Sequence, residues 1–386
     1  MKFPGIISVI LSFAVVLLCF PLYASALSDE EITAPSAVLM DAETGEILYE
    51  KNPHEVRACA SITKVMTLDL VMEAIDSGKI SLDDTVTASA HAASMGGSDI
   101  WLEQGETMTV DEMIKATVVA SANDAAVALA EYICGTEEEF VAQMNKKAQQ
   151  LGMKETVFKN CNGLDEDGHV TSAYDVAVMS RDLIKHKKIF EYSGIWIDYL
   201  RDGKTQLVNT NKLLKTYNGI TGLKTGTTSQ AGSCISATAE RDGLSLIAVV
   251  LGSATGKERF TDAAKLLDFG FANYAMYVPT VPENAITDIK VKNGMKPDVH
   301  TAADVSKPFL IAKGSDSKIT AEVSLKDEIE APVNKGDTLG KIIYKNDGKK
   351  IAEYSITAEN SVEQINFWSV FSILFRSLVS NRQTMP

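Results

Sequence analysis

The chain has 386 residues, a formal charge of −14 and 45% hydrophobic residues. This length predicts two domains, or one large domain with an appendage, and the hydrophobic content is sufficient for a sizeable core. The acidic balance argues against nucleic acid as a partner, because phosphate binding requires a basic face and none is visible, but a substrate could still be held in a locally cationic pocket.

Residues 1–26 are typical of an export signal. Lys2 supplies a positive charge, residues 6–20 form an almost unbroken apolar run, and Ala24-Ser25-Ala26 matches a small-x-small cleavage pattern. We therefore expect an exported protein at the outer face of the cytoplasmic membrane. An uncleaved N-terminal anchor is the alternative, whereas a lipoprotein site is disfavoured because Cys19 follows Leu18 and not a small residue.

The first elements predicted after the signal are a hairpin and a helix. Short strands over 37–40 and 46–50 form the hairpin. The helix is headed by Ser61-Ile62-Thr63-Lys64, and its apolar residues recur at helical spacing until Gly78. Residues three apart share a helix face, so the Lys64 amine lies beside the Ser61 hydroxyl. A buried, neutral lysine can activate a serine, and the alternative is an exposed helix start with a solvated lysine.

A second polar motif interrupts the next helical region. Thr109 and Glu112 have capping-box spacing, so a helix should begin there, and further helices are predicted over 124–133, 138–151 and 171–186. The break falls at Ser121-Ala122-Asn123. The Ser121 hydroxyl could relay a proton, and the Asn123 amide could hold a substrate amide or orient a lysine. These residue types are also ordinary helix caps.

From Gly219 the pattern changes to strands. Lys224-Thr225-Gly226 opens one strand, others follow over 233–239 and 244–251, and a helix is predicted over 260–274. Strands from both ends of this region, with helices between them, predict one α+β domain. Lys224 and Thr225 could hold a carboxylate, and Gly226 would let a substrate pair with the strand edge. The alternative is a surface turn.

The last third of the chain predicts a small all-β domain and an amphipathic tail. Short alternating stretches fill residues 286–358, and Asn346-Asp347-Gly348 is a hairpin turn. The apolar tail at 365–379 is shorter than the about 20 residues that span a bilayer. Rich in Phe and Trp, it suits a helix lying in the membrane interface, and the alternative is a helix folded onto the β domain or a partner. The predicted segments are a signal peptide at 1–26, a catalytic domain at 27–278, an all-β domain at 279–359 and an anchor helix at 360–386.

Four cysteines follow the predicted signal: Cys59, Cys134, Cys161 and Cys234. Without CxxC spacing or a histidine cluster, no metal site is expected, and the spacing assigns no disulfide.

The three polar motifs occur in a recognisable order. Ser-x-x-Lys, Ser-x-Asn and Lys-Thr-Gly resemble the penicillin-recognising serine acyltransferases, and most of all the low-molecular-mass penicillin-binding proteins that act as D-Ala-D-Ala carboxypeptidases. The local matches are residues 60–67, 121–125, 162–165 and 222–228. The resemblance implies a β-lactamase/transpeptidase-like catalytic domain, with an antiparallel sheet flanked by helices, followed by the all-β domain and the amphipathic helix.

The resemblance also implies a mechanism without a cofactor. Ser61 would attack the carbonyl between two D-alanines of a peptidoglycan pentapeptide stem while Lys64 takes its proton. Ser121 and Lys224 would pass a proton to the leaving amine, Asn123 would orient the substrate and Lys64, and β-lactam antibiotics would acylate Ser61 by the same route. The further implied roles are carboxylate binding by Lys224 and Thr225, a contribution to that binding by Arg259, and an oxyanion hole made by the backbone N–H of Ser61 with that of Ser229 or Gln230. A surface ion pair is the alternative for Arg259.

Three other functions remain open at this point. A β-lactamase would share the motifs, but residues 155–175 contain no Glu-x-x-Leu-Asn segment for a deacylation base. A β-lactam or peptidoglycan sensor would stay acylated, but no signalling domain is visible. A transpeptidase would use an amine in place of water.

Overall fold

The structure is a computed structural model that describes residues 27–380. The predicted signal at 1–26 and the end of the tail at 381–386 lie outside these residues. The described chain divides into two compact units. The first extends to Asn273, apart from residues 242–244, and the second begins at Tyr274. The predicted boundary near Val278 lies a few residues later.

The first unit is built on a five-stranded sheet with the order β2-β1-β9-β8-β7. Its strands and those of two small hairpins are β1 (Ser36–Asp41), β2 (Ile47–Lys51), β3 (Thr85–Thr87), β4 (Thr107–Thr109), β5 (Ile197–Leu200), β6 (Thr205–Val208), β7 (Ile220–Thr228), β8 (Gly232–Arg241) and β9 (Leu244–Ser253). Strand β1 pairs antiparallel with both β2 and β9, and β7 pairs antiparallel with β8. The predicted hairpin and the joining of sequence-distant strands are therefore confirmed, and β7 lies at an edge.

Nine helices of the described chain belong to the first unit. They are α1 (Lys64–Asp76), α2 (Ala90–Ala93), α3 (Val110–Lys115), α4 (Asn123–Cys134), α5 (Glu137–Gln150), α6 (Ala173–Leu183), α7 (Ile189–Ser193), α8 (Leu213–Thr216) and α9 (Gly256–Asn273). The apolar residues of α1, α4 and α6 join those of the sheet in one core. The predicted capping box is present: Thr109 Oγ1 accepts from the backbone N–H of Glu112, and the Glu112 side chain accepts from that of Thr109.

The start of the serine helix differs from the prediction. Ala60–Thr63 forms a 3-10 turn, and α1 begins only at Lys64. Ser61 thus lies in a tight turn before the helix, where a residue three positions on still faces it. The turn is held by Ile62 N–H, which donates to the carbonyl of Cys59 at 3.2 Å.

The second unit is a small all-β domain that ends in a helix. Its strands are β10 (Tyr274–Tyr277), β11 (Ile289–Lys292), β12 (Asp298–Val299), β13 (Thr301–Ala303), β14 (Phe309–Ala312), β15 (Ile319–Leu325), β16 (Glu328–Glu330), β17 (Thr338–Asn346) and β18 (Lys349–Ala358). The predicted turn at Asn346-Asp347-Gly348 joins β17 to β18, and Gly348 supplies the positive φ that it requires. Helix α10 spans Phe367–Ser380, and within residues 27–380 no helix has the length and apolarity to cross a bilayer.

Candidate active site

The three polar motifs come together in one cleft of the first unit. The cleft has a volume of about 200 Å³. Its lining comprises residues of all three motifs and of the loops around them: Ser61, Gly97, Ser98, Ser121, Asn123, Gly163, Leu164, Thr210, Thr225, Gly226, Thr227, Thr228 and Arg259. Lys64 and Lys224 lie behind this lining and bond to residues within it.

The Lys64 amine is buried and has three partners. Its Nζ lies 3.1 Å from Ser61 Oγ, 2.5 Å from Asn123 Oδ1 and 2.6 Å from the carbonyl oxygen of Asn162. Both Asn123 and Asn162 offer an acceptor here, so a neutral amine can donate its two protons to them and keep its lone pair for Ser61. Burial lowers the pKa of Lys64 to about 7, so much of the amine is neutral near neutral pH.

Asn123 owes its position to the break between two helices. Helix α3 runs into a π-helical turn at Ala116–Ala120, Ser121 has a left-handed φ of 61°, and α4 then begins at Asn123. This backbone brings both polar side chains to the cleft, as the residue types at the break suggested. The Asn123 amide N–H₂ donates to the carbonyl of Gly96 at 2.7 Å, which directs its Oδ1 toward Lys64.

Lys224 is the second buried amine of the site. Its Nζ donates to Ser121 Oγ at 2.8 Å and to the carbonyl of Thr225 at 2.9 Å. Burial holds the pKa of Lys224 well below its usual range, and the charges of Lys64 and Arg259 act in the same direction. The Thr225 hydroxyl donates to Thr210 Oγ1 at 2.6 Å. Ser121 therefore links the Lys224 amine to the cleft.

Gly226 places the edge strand β7 directly against the serine turn. A Cβ atom at this position would lie 2.9 Å from both the carbonyl oxygen of Cys59 and the backbone nitrogen of Ser61. This distance is shorter than the contacts that Cβ atoms make with other heavy atoms in proteins. Only glycine leaves room for this contact. The proposed benefit of Gly226, access of a substrate to the strand edge, remains a prediction.

Arg259 is held against β7 by α9 and is 9% exposed. Its guanidinium donates to the carbonyl of Gly226 at 2.9 Å and to Thr227 Oγ1 at 2.7 Å. No carboxylate among the described residues lies within ion-pair distance of it, and Glu258 instead accepts from the backbone N–H of Thr255. The alternative of a surface ion pair is therefore wrong. Arg259 therefore gives a net acidic chain a local positive charge at the cleft.

The structure changes the prediction that Ser229 or Gln230 completes the oxyanion hole. Ser229 and Gln230 follow the end of β7 at Thr228, and neither lines the cleft. The strand residues that line it after Gly226 are Thr227 and Thr228, because β7 stays extended through these positions. The Thr228 hydroxyl donates to Asp165 Oδ1 at 2.6 Å, so this strand end is tied to the loop that follows Gly163.

Two contacts of the site were not predicted from the sequence. The Asn162 carbonyl, in the matched segment 162–165, accepts from Lys64, and the Thr210 hydroxyl, outside all matched segments, accepts from Thr225. Asn162-Gly163 is a recognisable turn pair, yet a turn pair alone does not indicate that its carbonyl faces a buried amine. The Gly96 carbonyl, which accepts from the Asn123 amide, likewise belongs to none of the three motifs.

All four cysteines of the described chain are free thiols. Cys59, Cys161 and Cys234 are buried, and Cys134 is partly exposed. Among residues 27–380 no cluster of histidine, cysteine and carboxylate side chains could hold a metal ion.

Comparison with known families gives two matches along the chain. Residues 23–255 match the model of the peptidase S11 family, described as D-alanyl-D-alanine carboxypeptidase. Residues 277–364 match the C-terminal domain of penicillin-binding protein 5. The D-alanyl-D-alanine carboxypeptidase DacF of Bacillus subtilis is 46% identical over 338 residues, which are 86% of this chain and 87% of DacF.

Solved structures agree with these matches. Penicillin-binding protein 5 from Haemophilus influenzae superimposes with a TM-score of 0.75 at 34% identity, and the match covers 88% of this chain and all of that one. Penicillin-binding protein D2 from Listeria monocytogenes, solved in its ampicillin-bound form, has a TM-score of 0.57 at 35% identity and covers 65% of this chain and all of its own.

Proposed function

The chain belongs to the peptidase S11 family and is a D-alanyl-D-alanine carboxypeptidase, and we propose that it removes the terminal D-alanine of peptidoglycan pentapeptide stems through an acyl-Ser61 intermediate. One observation carries this mechanism: the buried Lys64 amine, with its two other partners satisfied, lies 3.1 Å from Ser61 Oγ. The β-lactamase and sensor alternatives lose support, because the relatives are named as carboxypeptidases.

Acylation begins at the pair of Ser61 and Lys64. The Lys64 lone pair takes the hydroxyl proton while Ser61 Oγ attacks the carbonyl carbon of the penultimate D-alanine. When the tetrahedral intermediate collapses, the C–N bond breaks and D-alanine leaves with a proton on its amine. The Ser121 hydroxyl, bonded to Lys224, supplies a route for that proton. Water then adds to the ester carbonyl and gives a proton to the neutral Lys64 amine; the C–O bond breaks, and Ser61 Oγ takes that proton as it leaves the product acid.

Two features of the cleft suit the charges of this reaction. The substrate ends in a carboxylate, and the cationic end of the cleft, with Lys224, Thr225 and Arg259, would hold it. The oxyanion would accept hydrogen bonds from the backbone N–H of Ser61, which lies against Gly226, and from that of Thr227, the next residue of β7. These roles replace the ones expected for Ser229 and Gln230.

The proposed function is tested with a diacetylated Lys-D-Ala-D-Ala peptide. We expect mass spectrometry to detect a peptide adduct on Ser61 early in the reaction, together with stoichiometric and then catalytic release of free D-alanine. The same protein incubated with a penicillin should carry a longer-lived adduct on Ser61. An adduct on another residue, or release of D-alanine without any acyl-enzyme under rapid quenching, would contradict the mechanism.

We propose further that the protein is exported and binds the outer face of the cytoplasmic membrane through α10. The export signal at 1–26 supports the first step. The exposed apolar side chains of α10 support the second: Phe367, Trp368, Phe371, Leu374 and Phe375 are each at least 49% exposed. Ser369, Ser372 and Arg376 fall on the opposite helical stripe, as in a helix that lies in a membrane interface.

Removing the tail should separate membrane binding from catalysis. A chain that ends at Asn366 keeps Val362, which is buried in the β-domain core, and should lose flotation with phospholipid vesicles while it cleaves soluble peptide at the full rate. The double variant Phe371→Glu/Leu374→Glu should lose flotation as well. The control Ser369→Glu/Ser372→Glu adds the same charge to the polar stripe and should still float. Equal flotation of all three variants would contradict the anchor.

A further inference from the structure

The turn that carries Ser61 is held by a hydrogen-bond relay outside the cleft. The backbone N–H of Lys159 donates to Nδ1 of His169 at 3.1 Å, and Nε2 of His169 lies 2.7 Å from Thr63 Oγ1. The Thr63 hydroxyl donates in turn to the carbonyl oxygen of Ala60 at 2.9 Å. His169 is 4% exposed and Thr63 is fully buried, so water has little access to these bonds.

We propose that His169 is a positioning residue for the acylation of Ser61, acting through Thr63 to orient the peptide unit between Ala60 and Ser61. This inference rests on the proposed acyl-Ser61 mechanism, in which the N–H of that peptide unit stabilises the oxyanion. His169 contacts neither substrate nor reacting atoms in this scheme.

The partners of His169 determine its tautomer. A backbone N–H can only donate, so Nδ1, which receives the N–H of Lys159, carries no proton. The neutral ring then has its proton on Nε2 and donates it to Thr63, whose own proton remains for Ala60. A protonated ring would turn an N–H toward the N–H of Lys159, and the relay would lose its first bond.

The surroundings of His169 keep the ring neutral. Burial lowers the pKa of His169 to about 4, with the carboxylates of Glu166 and Asp165 opposing this shift and the Lys159 charge adding to it. The Phe158 ring packs edge-on, with its centroid 5.8 Å from that of the imidazole. His169 therefore stays in the donating tautomer across the pH range near 7 in which Lys64 changes its charge.

Planarity of the peptide group carries the effect from Ala60 to Ser61. The C=O and N–H of one peptide unit point in opposite directions, so a hydrogen bond that holds the Ala60 carbonyl also aims the Ser61 N–H. This turn needs such support, because Ala60 has a φ of 50°, a region that L-residues other than asparagine and aspartate seldom adopt. Gly163 packs on the same carbonyl: a Cβ there would lie 2.0 Å from the Ala60 oxygen.

The test compares two replacements of His169. His169→Asn can accept from Lys159 but is too short to reach Thr63, whereas His169→Gln carries an amide N–H to about the place of Nε2. We expect His169→Asn to lower the acylation rate constant with a fluorescent penicillin by about 10- to 100-fold, with unchanged affinity for the non-covalent complex, since misplaced oxyanion donors cost rate and not binding. His169→Gln should recover most of the rate.

A second pair of variants guards against misfolding. Thr63→Val removes the hydroxyl at similar volume, and Thr63→Ser keeps it. We therefore expect a lowered acylation rate constant in Thr63→Val and one close to that of the wild type in Thr63→Ser. Equal acylation rate constants in this pair would overturn the proposal even if His169→Asn does not fold. The proposal would also be overturned if a smaller fraction of His169→Asn molecules became labelled, but those molecules were acylated with the wild-type rate constant. Failure of the proposed function is distinguishable, because the wild-type protein would then form no Ser61 adduct at all.

Discussion

Replacing Ser61 by alanine is expected to abolish both covalent labelling by a fluorescent penicillin and release of D-alanine from the peptide. Ser61 Oγ is the only atom in the proposed scheme that bonds to the substrate carbonyl, and its loss leaves binding and the oxyanion donors alone. Removing the nucleophile of a serine hydrolase typically lowers kcat by about 10⁶-fold. Labelling is read by gel fluorescence and D-alanine by a coupled assay.

The control for this variant is Ser77→Ala. Ser77 follows the end of α1, outside the cleft lining, and its hydroxyl donates to the carbonyl of Ala74 in the same helix end. It should be labelled normally. The melting temperature of Ser61→Ala should stay close to that of the wild type, because Ser61 makes one side-chain hydrogen bond, to Lys64. Penicillin labelling that survives in folded Ser61→Ala would place the nucleophile elsewhere.

Replacing Lys64 by methionine should slow acylation by about 10³-fold, in the range that a general base contributes. In the wild type, the pKa of Lys64 of about 7 sets the pH profile. The amine is charged below that pH and cannot accept the Ser61 proton, so the acylation rate should rise with pH through about 7 and then level off. In Lys64→Met this rise should be absent.

Lys224 provides the matched comparison for the pH profile. Lys224 is also buried, but it belongs to the Lys-Thr-Gly motif, and its amine donates to Ser121 and not to Ser61. We expect Lys224→Met to weaken binding of the peptide carboxylate and to retain the rise near pH 7. If the rise were absent in Lys224→Met and present in Lys64→Met, Lys224 and not Lys64 would be the base that activates Ser61. Stopped-flow acylation from pH 5 to 9 measures both.

Much of the scaffold follows from local patterns. The β1–β2 hairpin, the capping box at Thr109, the β17–β18 turn and the end of α1 before Gly78 each depend on residues close in the chain. Capping, turn formation and amphipathic periodicity are short-range effects, so the sequence is sufficient to predict them. The proximity of Ser61 and Lys64 is of the same kind, because a spacing of three brings side chains together in a 3-10 turn as well as in an α-helix.

The element boundaries near the site were less predictable. Helical periodicity continues from α1 back into Ala60–Thr63, and only the close packing of Gly226 and Gly163 against this segment shows why it is a tight turn. The π-helical turn before Ser121 likewise depends on tertiary packing, since its residues are apolar and suit an ordinary helix. The proposed oxyanion donor is Thr227 and not Ser229 or Gln230, because β7 continues to Thr228. The Lys-Thr-Gly motif alone does not show where this strand ends.

The motifs and their order were sufficient to predict which groups meet in the site: a serine with a lysine three residues later, a Ser-x-Asn break and a Lys-Thr-Gly strand, all in the order of one family. The protonation state and orientation of these groups, in contrast, depend on how distant segments pack around them. Complete burial lowers the pKa of Lys64, and the carbonyl of Asn162 accepts one of the hydrogen bonds that orient the amine. In our proposal the direction of the Ser61 N–H depends on Thr63 and His169. Desolvation and long-range hydrogen bonds come from segments that lie far apart in the chain, and no local pattern encodes them.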